Sequence, residues 1–326
     1  MVLPHIVWVS YILLKNLCFG IRYLNQISNI ALKKMIPTIE NQDFICAIES
    51  NGAEIRSFKR KSTEEEFIWQ INPSVWGSSS PVLFPAIGNI KEGKIVYKGK
   101  SFAVPKHGMI RNNDSLLFKQ LSPSECSFTL ENSEETLKQY PFKFRFSVVF
   151  SLNANRLKME YQIENRDVDP LYFCCGGHTA YSITLNNKTK LSDYVIEFLN
   201  KTSLTTRKLG NSGLLSDQTQ NISLIENTLA LSETLFNEDA LIFENINFDW
   251  VRLRKKNETK GVLVRFENYP NLALWSKPGA DFLCIEPWLG LPDAENESVD
   301  ITQKTTYQSL SPQEIFTIKI ETEIEK

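Results

Sequence analysis

The chain has 326 residues, with 36 Lys and Arg against 38 Asp and Glu, so its formal net charge is -2. A chain this close to neutrality has no overall field that would attract nucleic acid or an anionic membrane, and we expect no nucleic-acid partner. The length allows one large all-β domain or two ordinary domains, and it is ample for a buried core.

The cysteines indicate a reducing compartment. The chain has six cysteines, no Cys-x-x-Cys pair occurs, and Cys174 and Cys175 are adjacent within an apolar run. Such residues are typical of buried free thiols in proteins that are not secreted. We therefore predict a cytoplasmic location.

Residues 1–34 differ from everything that follows. The stretch from Val2 to Ile21 is strongly apolar, but Pro4 and Lys15 are among the residues that interrupt it. It therefore lacks the ~20 clean apolar residues of a spanning helix. It also lacks the basic start and small-residue cleavage site of a signal peptide. We predict a dispensable or mis-assigned leader at 1–34 with Met35 as the functional start, and a membrane anchor is the alternative.

From Met35 onward the apolar residues recur at every second position, which is typical of β-strands. The clearest alternation runs from Phe142 to Leu152 and again from Leu157 to Ile163, and it predicts a long antiparallel pair with one buried face. The predicted strands span residues 43–49, 53–59, 66–70, 94–97, 100–104, 142–152, 157–163, 239–243, 251–253, 261–264, 271–275, 281–285 and 315–320.

Nothing in the composition marks an internal linker, and no fixed-period repeat occurs. Many strands with turn residues between them, and almost no helical periodicity, favour an all-β fold: a large antiparallel β-sandwich. We therefore predict that residues 35–326 form a single domain.

Several common chemistries lack their usual motifs. No phosphate-binding Gly-x-x-x-x-Gly-Lys-Ser/Thr, dinucleotide Gly-x-Gly-x-x-Gly or Gly-x-Ser-x-Gly nucleophile motif occurs in its required context. Zinc would need three or four ligands, but the body of the chain has just two histidines, about seventy residues apart, with scattered thiols. A Cys175 nucleophile activated by His107 is a weaker possibility, because thiols in an aromatic run usually serve packing. We expect no metal and no cofactor.

His178 and Glu286 are the candidates for acid-base chemistry. The apolar run before Gly176-Gly177 reads as a buried strand that ends in a tight turn, from which His178 would emerge at the rim of a cleft. Glu286 lies at the end of another apolar strand, which Pro287 is expected to stop. Burial would raise the pKa of such a carboxyl towards neutrality. The alternatives are a histidine satisfied within the core and a structural glutamate.

Two further apolar runs end in polar residues. Pro81 to Asn89 ends in Gly-Asn, and the stretch from Pro105 to Asn112 places His107 and Arg111 four residues apart on a loop after a hairpin. Both side chains suit hydrogen bonding to a polyhydroxylated ligand. The ends of strands converge on one face of a sandwich, so we expect these residues to lie near one another.

Four motifs together resemble the aldose 1-epimerase (galactose mutarotase-like) family, in the branch associated with bacterial lactose operons. The resemblance covers about Met35 to Glu323. The motifs occur in the family's order, at Pro81 to Asn89, His107-Gly-x-x-Arg111, Gly176-Gly-His178 and Cys284-Ile-Glu-Pro-Trp288. The resemblance implies a β-supersandwich of large antiparallel sheets.

The resemblance also implies roles for the two central residues. His178 matches the general acid that protonates the ring oxygen of a sugar, and Glu286 matches the general base that removes the proton from the anomeric hydroxyl. Ring opening, rotation about the C1–C2 bond and reclosure then interconvert the α and β anomers of a free aldohexose.

The remaining site residues follow from the same resemblance. His107 matches a second histidine near the ring oxygen, while Arg111 and Asp239 would bind other hydroxyls. Trp288, together with other tryptophans, would supply apolar surface for the sugar. Many members of the family carry an arginine at the position of Asn89, so an expected hydroxyl or anion contact is weaker here, which suits a phosphorylated sugar less well.

Three other functions compete with the epimerase. A sugar-binding protein without turnover would keep the pocket. A hexose-6-phosphate 1-epimerase would need a cationic pocket, for which Arg111 with Lys91 or Lys106 is the only indication in the sequence. A purely structural β-sandwich would leave both histidine motifs unexplained. We expect a small-molecule sugar substrate, and either a monomer or a homodimer.

Overall fold

The computed structural model describes residues 36–183 and 190–325. The predicted leader at 1–34 lies outside the described residues and stays a prediction. The chain from Thr38 onward forms one compact unit. Within the parts of the chain that the structure describes, no helix is long and apolar enough to cross a membrane.

Strands dominate the described residues, as the alternating pattern predicts. A short helix, α1, spans Glu134–Leu137, and 3₁₀ turns lie at Asn51–Ala53, Lys91–Gly93, Leu191–Asp193 and Ile301–Gln303. The strands are β1 (Thr38–Glu40), β2 (Phe44–Glu49), β3 (Glu54–Arg60), β4 (Glu65–Glu66), β5 (Val82–Leu83), β6 (Lys94–Tyr97), β7 (Lys100–Ala103), β8 (Leu117–Ser122), β9 (Glu125–Glu131), β10 (Phe144–Asn153), β11 (Arg156–Asn165), β12 (Leu171–Phe173), β13 (Cys175–Gly177), β14 (Thr179–Ser182), β15 (Tyr194–Phe198), β16 (Ser203–Leu209), β17 (Leu215–Ser223), β18 (Thr228–Ala230), β19 (Leu241–Phe243), β20 (Trp250–Lys255), β21 (Val262–Arg265), β22 (Asn271–Trp275), β23 (Phe282–Leu289), β24 (Gln308–Leu310) and β25 (Ile315–Ile324).

Two large antiparallel sheets form the body of the molecule. One has nine strands in the order β18-β15-β20-β21-β25-β11-β10-β9-β8. The other has the order β17-β16-β19-β22-β23-β13-β5, with β14 also pairing with β23. The N-terminal strands β1 to β4 make a separate four-stranded meander. These sheets confirm the predicted all-β antiparallel class.

The two large sheets face each other across an aromatic core. Phe84, which follows β5, stacks on Phe146 of β10 with ring centroids 4.7 Å apart. The hydroxyl groups of Tyr181 in β14 and Thr322 in β25 lie 2.6 Å apart and are hydrogen-bonded. The alternating pattern of β10 and β11 places its apolar residues on this inner face, so burial of that face holds the two sheets together.

Three local predictions are wrong. The strand predicted at 66–70 is absent beyond Glu66, where β4 ends. Gly176 and Gly177 lie in strand β13 instead of a tight turn, and Gly176 pairs with Trp288. A glycine is still required at 176, because a Cβ on Gly176 would lie 2.7 Å from the carbonyl oxygen of Pro287. Pro287 does not stop its strand, since β23 continues to Leu289.

Candidate active site

A cavity of about 940 Å³ is lined by strands β16, β19, β22 and β23 of one large sheet and by the loops around them. All seven residues that the sequence points to line it, although they come from distant segments of the chain. They are Asn89, His107, Arg111, His178, Asp239, Glu286 and Trp288. The structure therefore brings the predicted residues together, while their roles stay predictions.

Strand register places His178 beside Glu286. On one side of His178, Gly176 pairs with Trp288, and on the other side Thr179 pairs with Ile285. The same register runs through both pairs, so His178 falls directly opposite Glu286. Side chains that face each other across an antiparallel pair project from the same face of the sheet. Nε2 of His178 lies 3.2 Å from Oε2 of Glu286.

Burial controls the ionisation of this pair. His178 is 9% exposed and Glu286 is 1% exposed. Burial, and then the charge of Arg111, lowers the pKa of His178 to about 3. Burial raises the pKa of Glu286 well above its usual value, and Asp239 adds to that rise. Both shifts favour the neutral forms, an unprotonated imidazole and a protonated carboxyl group.

The His178–Glu286 contact lacks the alignment of a hydrogen bond. Oε2 of Glu286 is buried and makes no hydrogen bond within the residues that the structure describes. A buried carboxylate oxygen without a partner is costly unless a ligand satisfies it. The oxygen therefore retains an unused hydrogen-bond acceptor at the catalytic-pair end of the cavity lining.

His107 is held in one orientation by the chain near Gly88. Its backbone amide donates to the carbonyl oxygen of Gly88 at 3.0 Å, and the amide of Gly88 donates to Nδ1 of His107 at 3.1 Å. Burial lowers the pKa of His107 well below its usual value, and His178 adds to the effect. A neutral imidazole that accepts at Nδ1 carries its proton on Nε2. His107 therefore offers an N–H donor, and its ring centroid lies 5.5 Å from that of His178.

Arg111 is half-buried, and its Nη2 donates to the hydroxyl of Ser78 at 3.4 Å. The segment that follows Ser78 is fixed by the buried carboxylate of Glu54, which accepts from the backbone amides of Ser79 and Ser80. Because a carboxylate that accepts several amide bonds is firmly held, Glu54 sets the position of the Ser78 hydroxyl.

Tryptophans form one wall of the cavity. Trp76 stacks on the imidazole of His178, with ring centroids 5.3 Å apart and an interplanar angle of 28°. Trp275 meets the same imidazole edge-on at 5.9 Å. Phe282 lies behind Trp76, with ring centroids 5.3 Å apart. This cluster fixes the plane of the imidazole and gives the cavity an apolar surface.

Asn89 and Asp239 lie farther out, in loops. The side-chain amide of Asn89 donates to the carbonyl oxygen of Ser212 at 3.3 Å. Asp239 is exposed, and one carboxylate oxygen accepts from the amide of Ala240 at 2.8 Å. Asn89 therefore supports the 210–213 loop in addition to lining the cavity, while Asp239 remains accessible to a ligand.

Sequence reasoning missed part of the lining. Lys208, Lys277, Phe236 and Glu238 also line the cavity, as does the loop at 210–213. Their local patterns are those of ordinary loops and strand ends, and no motif marks them. The basic residues of the cavity could have been suspected from sequence only if the order of strands in the sheet had been known.

One set of donor atoms could hold a cation. The nitrogen of His178, the sulfur of Cys284 and a carboxylate oxygen of Glu286 all lie within 4.8 Å of one another. Burial raises the pKa of the Cys284 thiol, and Glu286 adds to that rise, so the thiolate form that zinc prefers is disfavoured. The donor set fits proton transfer better than it fits a resident metal.

Comparison with known proteins gives a consistent result. Residues 35–323 match the family model described as aldose 1-epimerase. The chain is 32% identical to a galactose mutarotase related enzyme from Lactobacillus acidophilus, with a TM-score of 0.84, over 90% of this chain and 98% of that one. It is 27% identical to a galactose mutarotase-like protein from Lactobacillus casei, with a TM-score of 0.82, over 89% of this chain and 100% of that one.

A curated relative agrees with these matches. The chain is 27% identical over 284 residues to the plasmid-encoded protein LacX of Lactococcus lactis, covering 84% of this chain and 94% of that protein. The matched segment of the family model begins at the predicted functional start, Met35.

Proposed function

Because the chain belongs to the aldose 1-epimerase family, we propose that it interconverts the α and β anomers of a free aldohexose, with His178 as general acid and Glu286 as general base. The observation that carries the proposal is the 3.2 Å contact between Nε2 of His178 and Oε2 of Glu286 in a ligand-sized cavity. The ring oxygen and the anomeric hydroxyl of a sugar are bonded to the same carbon, so two groups this close can each reach one of them.

Over one catalytic cycle the enzyme neither gains nor loses protons. The carboxylate of Glu286 takes the proton of the anomeric hydroxyl, a C1=O bond forms and the bond from C1 to the ring oxygen breaks. His178 gives its proton to that ring oxygen. After rotation about C1–C2, attack on the other face of the aldehyde reverses both transfers and restores the starting protonation states.

The working form of the pair has the proton on His178. Burial favours the other arrangement in the free protein, with a neutral imidazole and a protonated carboxyl group. The two groups lie 3.2 Å apart, so a small reorientation that aligns them would let one proton transfer convert one form into the other. The charges of Lys106 and Arg111 lower the pKa values of both side chains, whereas a sugar hydroxyl that donates to the carboxylate would lower the pKa of Glu286 alone. Substrate binding therefore favours the reactive form.

The other lining residues hold the sugar. The Nε2–H group of His107 would donate near the ring oxygen, while Arg111, Asn89 and Asp239 would bind hydroxyl groups. Trp288 would give apolar surface to the C–H face of the ring. Because acid and base catalysis each supply roughly 10²- to 10⁴-fold, and anomers already interconvert unaided, these groups suffice without a cofactor.

NMR of the anomeric protons tests the proposal. Freshly dissolved α-galactose and α-glucose are followed with wild type, His178→Asn, Glu286→Gln and the surface control Glu267→Gln. We expect wild type and the control to speed equilibration equally, and each active-site variant to lose at least about 100-fold in kcat/KM. Near-normal activity of Glu286→Gln would refute its role as the base.

The same experiment separates the two alternatives. Broadening of the sugar signals without faster equilibration would indicate a sugar-binding protein without turnover. Lys106, Lys208 and Lys277 line the cavity, which is the observation that favours a hexose 6-phosphate as substrate. Acceleration of glucose 6-phosphate without acceleration of free hexoses would establish that alternative.

A further inference from the structure

Glu54 is a buried carboxylate that the proposed reaction does not use. It begins strand β3 of the N-terminal meander, and its side chain does not line the main cavity. The residue is 4% exposed. A carboxylate at this depth is costly unless it is paired and hydrogen-bonded, so its partners indicate its role.

Glu54 fastens β3 to the segment 78–80. Its Oε1 accepts from the backbone amides of Ser79 and Ser80, the second at 2.9 Å. Its Oε2 lies 3.3 Å from Nη1 of Arg56, so the buried charge is paired. Because hydrogen bonds to an ionised acceptor are among the strongest, this carboxylate holds the segment firmly.

The same segment supports the two residues that follow His178. The amide of Ala180 donates to the carbonyl oxygen of Ser79 at 2.8 Å. The hydroxyl groups of Ser80 and Thr179 are hydrogen-bonded at 2.7 Å. A displacement of the segment would therefore displace the backbone that carries the imidazole.

Arg111 is supported by the same part of the meander from two sides. Its Nη2 donates to the hydroxyl of Ser78 at 3.4 Å. The amide of Gly52 donates to the carbonyl oxygen of Asn113 at 2.8 Å. A Cβ on Gly52 would lie 3.7 Å from the Cα of Arg111, so the turn at 51–53 packs against this loop. Both the backbone and the guanidinium of Arg111 therefore depend on residues at the start of β3.

We propose that Glu54 is a positioning residue for anomer exchange, because it holds the segment 78–80 and through it the side chains of His178 and Arg111. The inference rests on the proposed epimerase activity and gives the N-terminal meander a part in it. A displacement of ~1 Å far from the reacting atoms can cost about 10²-fold in rate, so a small shift of the segment is sufficient to lower activity.

Glu66 provides a matched control within the same meander. Its carboxylate also accepts from two backbone amides, those of Phe58 at 2.8 Å and Ile68 at 3.0 Å, and from the hydroxyl of Ser57 at 2.5 Å. None of these partners belongs to the segment 78–80. The two glutamates therefore make the same kind of hydrogen bonds, to different parts of the chain.

Kinetics of the two alanine variants test the proposal. Glu54→Ala and Glu66→Ala each leave two backbone amides without their acceptor, so both should lower the midpoint of urea unfolding. We expect Glu54→Ala to lower kcat/KM of the folded protein at least about tenfold and Glu66→Ala to change it less than about twofold.

Histidine NMR gives a second readout that does not depend on turnover. The chain has three histidines, and His178→Asn assigns the ring signals of His178 by removing them. Trp76, two residues before Ser78, stacks on this imidazole with ring centroids 5.3 Å apart, so its ring current shifts those signals. We expect Glu54→Ala to move the ring signals of His178 and Glu66→Ala to leave them unchanged.

A pair of glycine variants tests the turn if Glu54→Ala does not fold. The φ angles of Gly52 and Gly99 are +77° and +75°, so Gly52→Ala and Gly99→Ala carry the same backbone cost. Only the new Cβ at 52 would contact the loop of Arg111. We expect Gly52→Ala alone to raise KM, by at least about threefold. Equal KM values in the two variants would overturn the inference.

The outcomes separate the two proposals. A comparable loss of kcat/KM in the two glutamate variants would overturn the inference, and so would unchanged ring signals of His178 in Glu54→Ala. In both cases the epimerase proposal would stand. If wild type does not accelerate anomer exchange, the epimerase proposal fails, and the ring signals of His178 decide whether Glu54 holds the segment.

Discussion

Gly108 couples the stability of the fold to the position of His107. Its φ is +79°, and a Cβ at this position would lie 2.6 Å from the backbone nitrogen of Pro85 and closer still to the carbonyl group of Phe84. The amide of Met109 donates to that same carbonyl oxygen at 2.7 Å. Gly108→Ala therefore imposes a strained backbone and forces two backbone segments apart.

The expected loss has two parts. An alanine in the left-handed region costs about 1–2 kcal/mol, and the buried amide of Met109 costs about 1–3 kcal/mol if it loses Phe84. We expect Gly108→Ala to lower the free energy of unfolding by about 3 kcal/mol or more. Gly99 is the matched control, because its φ is +75° but a Cβ there would meet no atom of the described residues within 4 Å beyond its chain neighbours. Gly99→Ala should therefore lower the free energy of unfolding by the backbone cost alone, about 1–2 kcal/mol.

Urea unfolding of both variants, with anomer exchange measured on the folded protein, checks this prediction. Gly108→Ala should also lower kcat/KM, because His107 lies in the same loop and its two hydrogen bonds with Gly88 would be displaced. Equal losses of stability in the two variants, within about 0.5 kcal/mol, would show that the backbone contact with Phe84 contributes little and would refute the reasoning.

Three further predictions follow from buried charges and from the family match. The pKa of His178 is lowered to about 3 in the folded protein, whereas in the unfolded chain it is ~6.5. Below pH ~6.5 the unfolded chain therefore binds a proton that the folded protein does not. The free energy of unfolding then falls by up to about 1.4 kcal/mol for each pH unit of acidification. His178→Asn should therefore be less sensitive to pH between about 6 and 4 in urea titrations at several pH values, and parallel curves would contradict the predicted shift. Lys304 and Asp293 form a fully buried ion pair. Lys304→Met should lower the free energy of unfolding by about 3–5 kcal/mol, measured by thermal or urea unfolding, because it leaves the charge of Asp293 buried and unpaired. Adding Asp293→Asn should recover part of that loss, and no recovery would argue against the unpaired charge as its cause. Because the family match starts at residue 35, deletion of residues 1–34 should leave a folded protein with unchanged anomer exchange, and failure of the shortened chain to fold would show that the leader is required.

Local sequence predicted about half of the described strands, because alternation and turn residues act over short distances. The predicted strand at 271–275 coincides with β22, and the hairpin around Lys98-Gly99 coincides with β6 and β7. In the long pair, β10 is shifted by one or two residues from the predicted 142–152, and β11 extends the predicted 157–163 at both ends. Each of these depends on neighbours within a few residues, which the pattern of apolar side chains records directly.

Predictions about strand ends failed where the partner strand is distant in sequence. The local pattern predicts that Pro287 ends β23, but the register places it opposite Gly177, beside the interruption of the ladder at His178. A proline has no N–H to donate, and a strand tolerates it where the pairing does not require one. The two glycines likewise lie in a strand, where Pro287 and Trp288 closely approach Gly176 and Ile320 closely approaches Gly177. Neither fact can be read from the local sequence.

The sequence by itself determined the antiparallel all-β class, because strand periodicity is local. It also determined the candidate acid and base, because a histidine and a glutamate in the family's motifs carry recognisable chemistry. Tertiary structure alone decided that His178 and Glu286 face each other at 3.2 Å, that Trp76 stacks on the imidazole, and that loops at 210–213 and 237–240 enlarge the cavity. These features depend on register between segments about a hundred residues apart. Burial at that point then shifts the pKa values of both side chains towards their neutral forms.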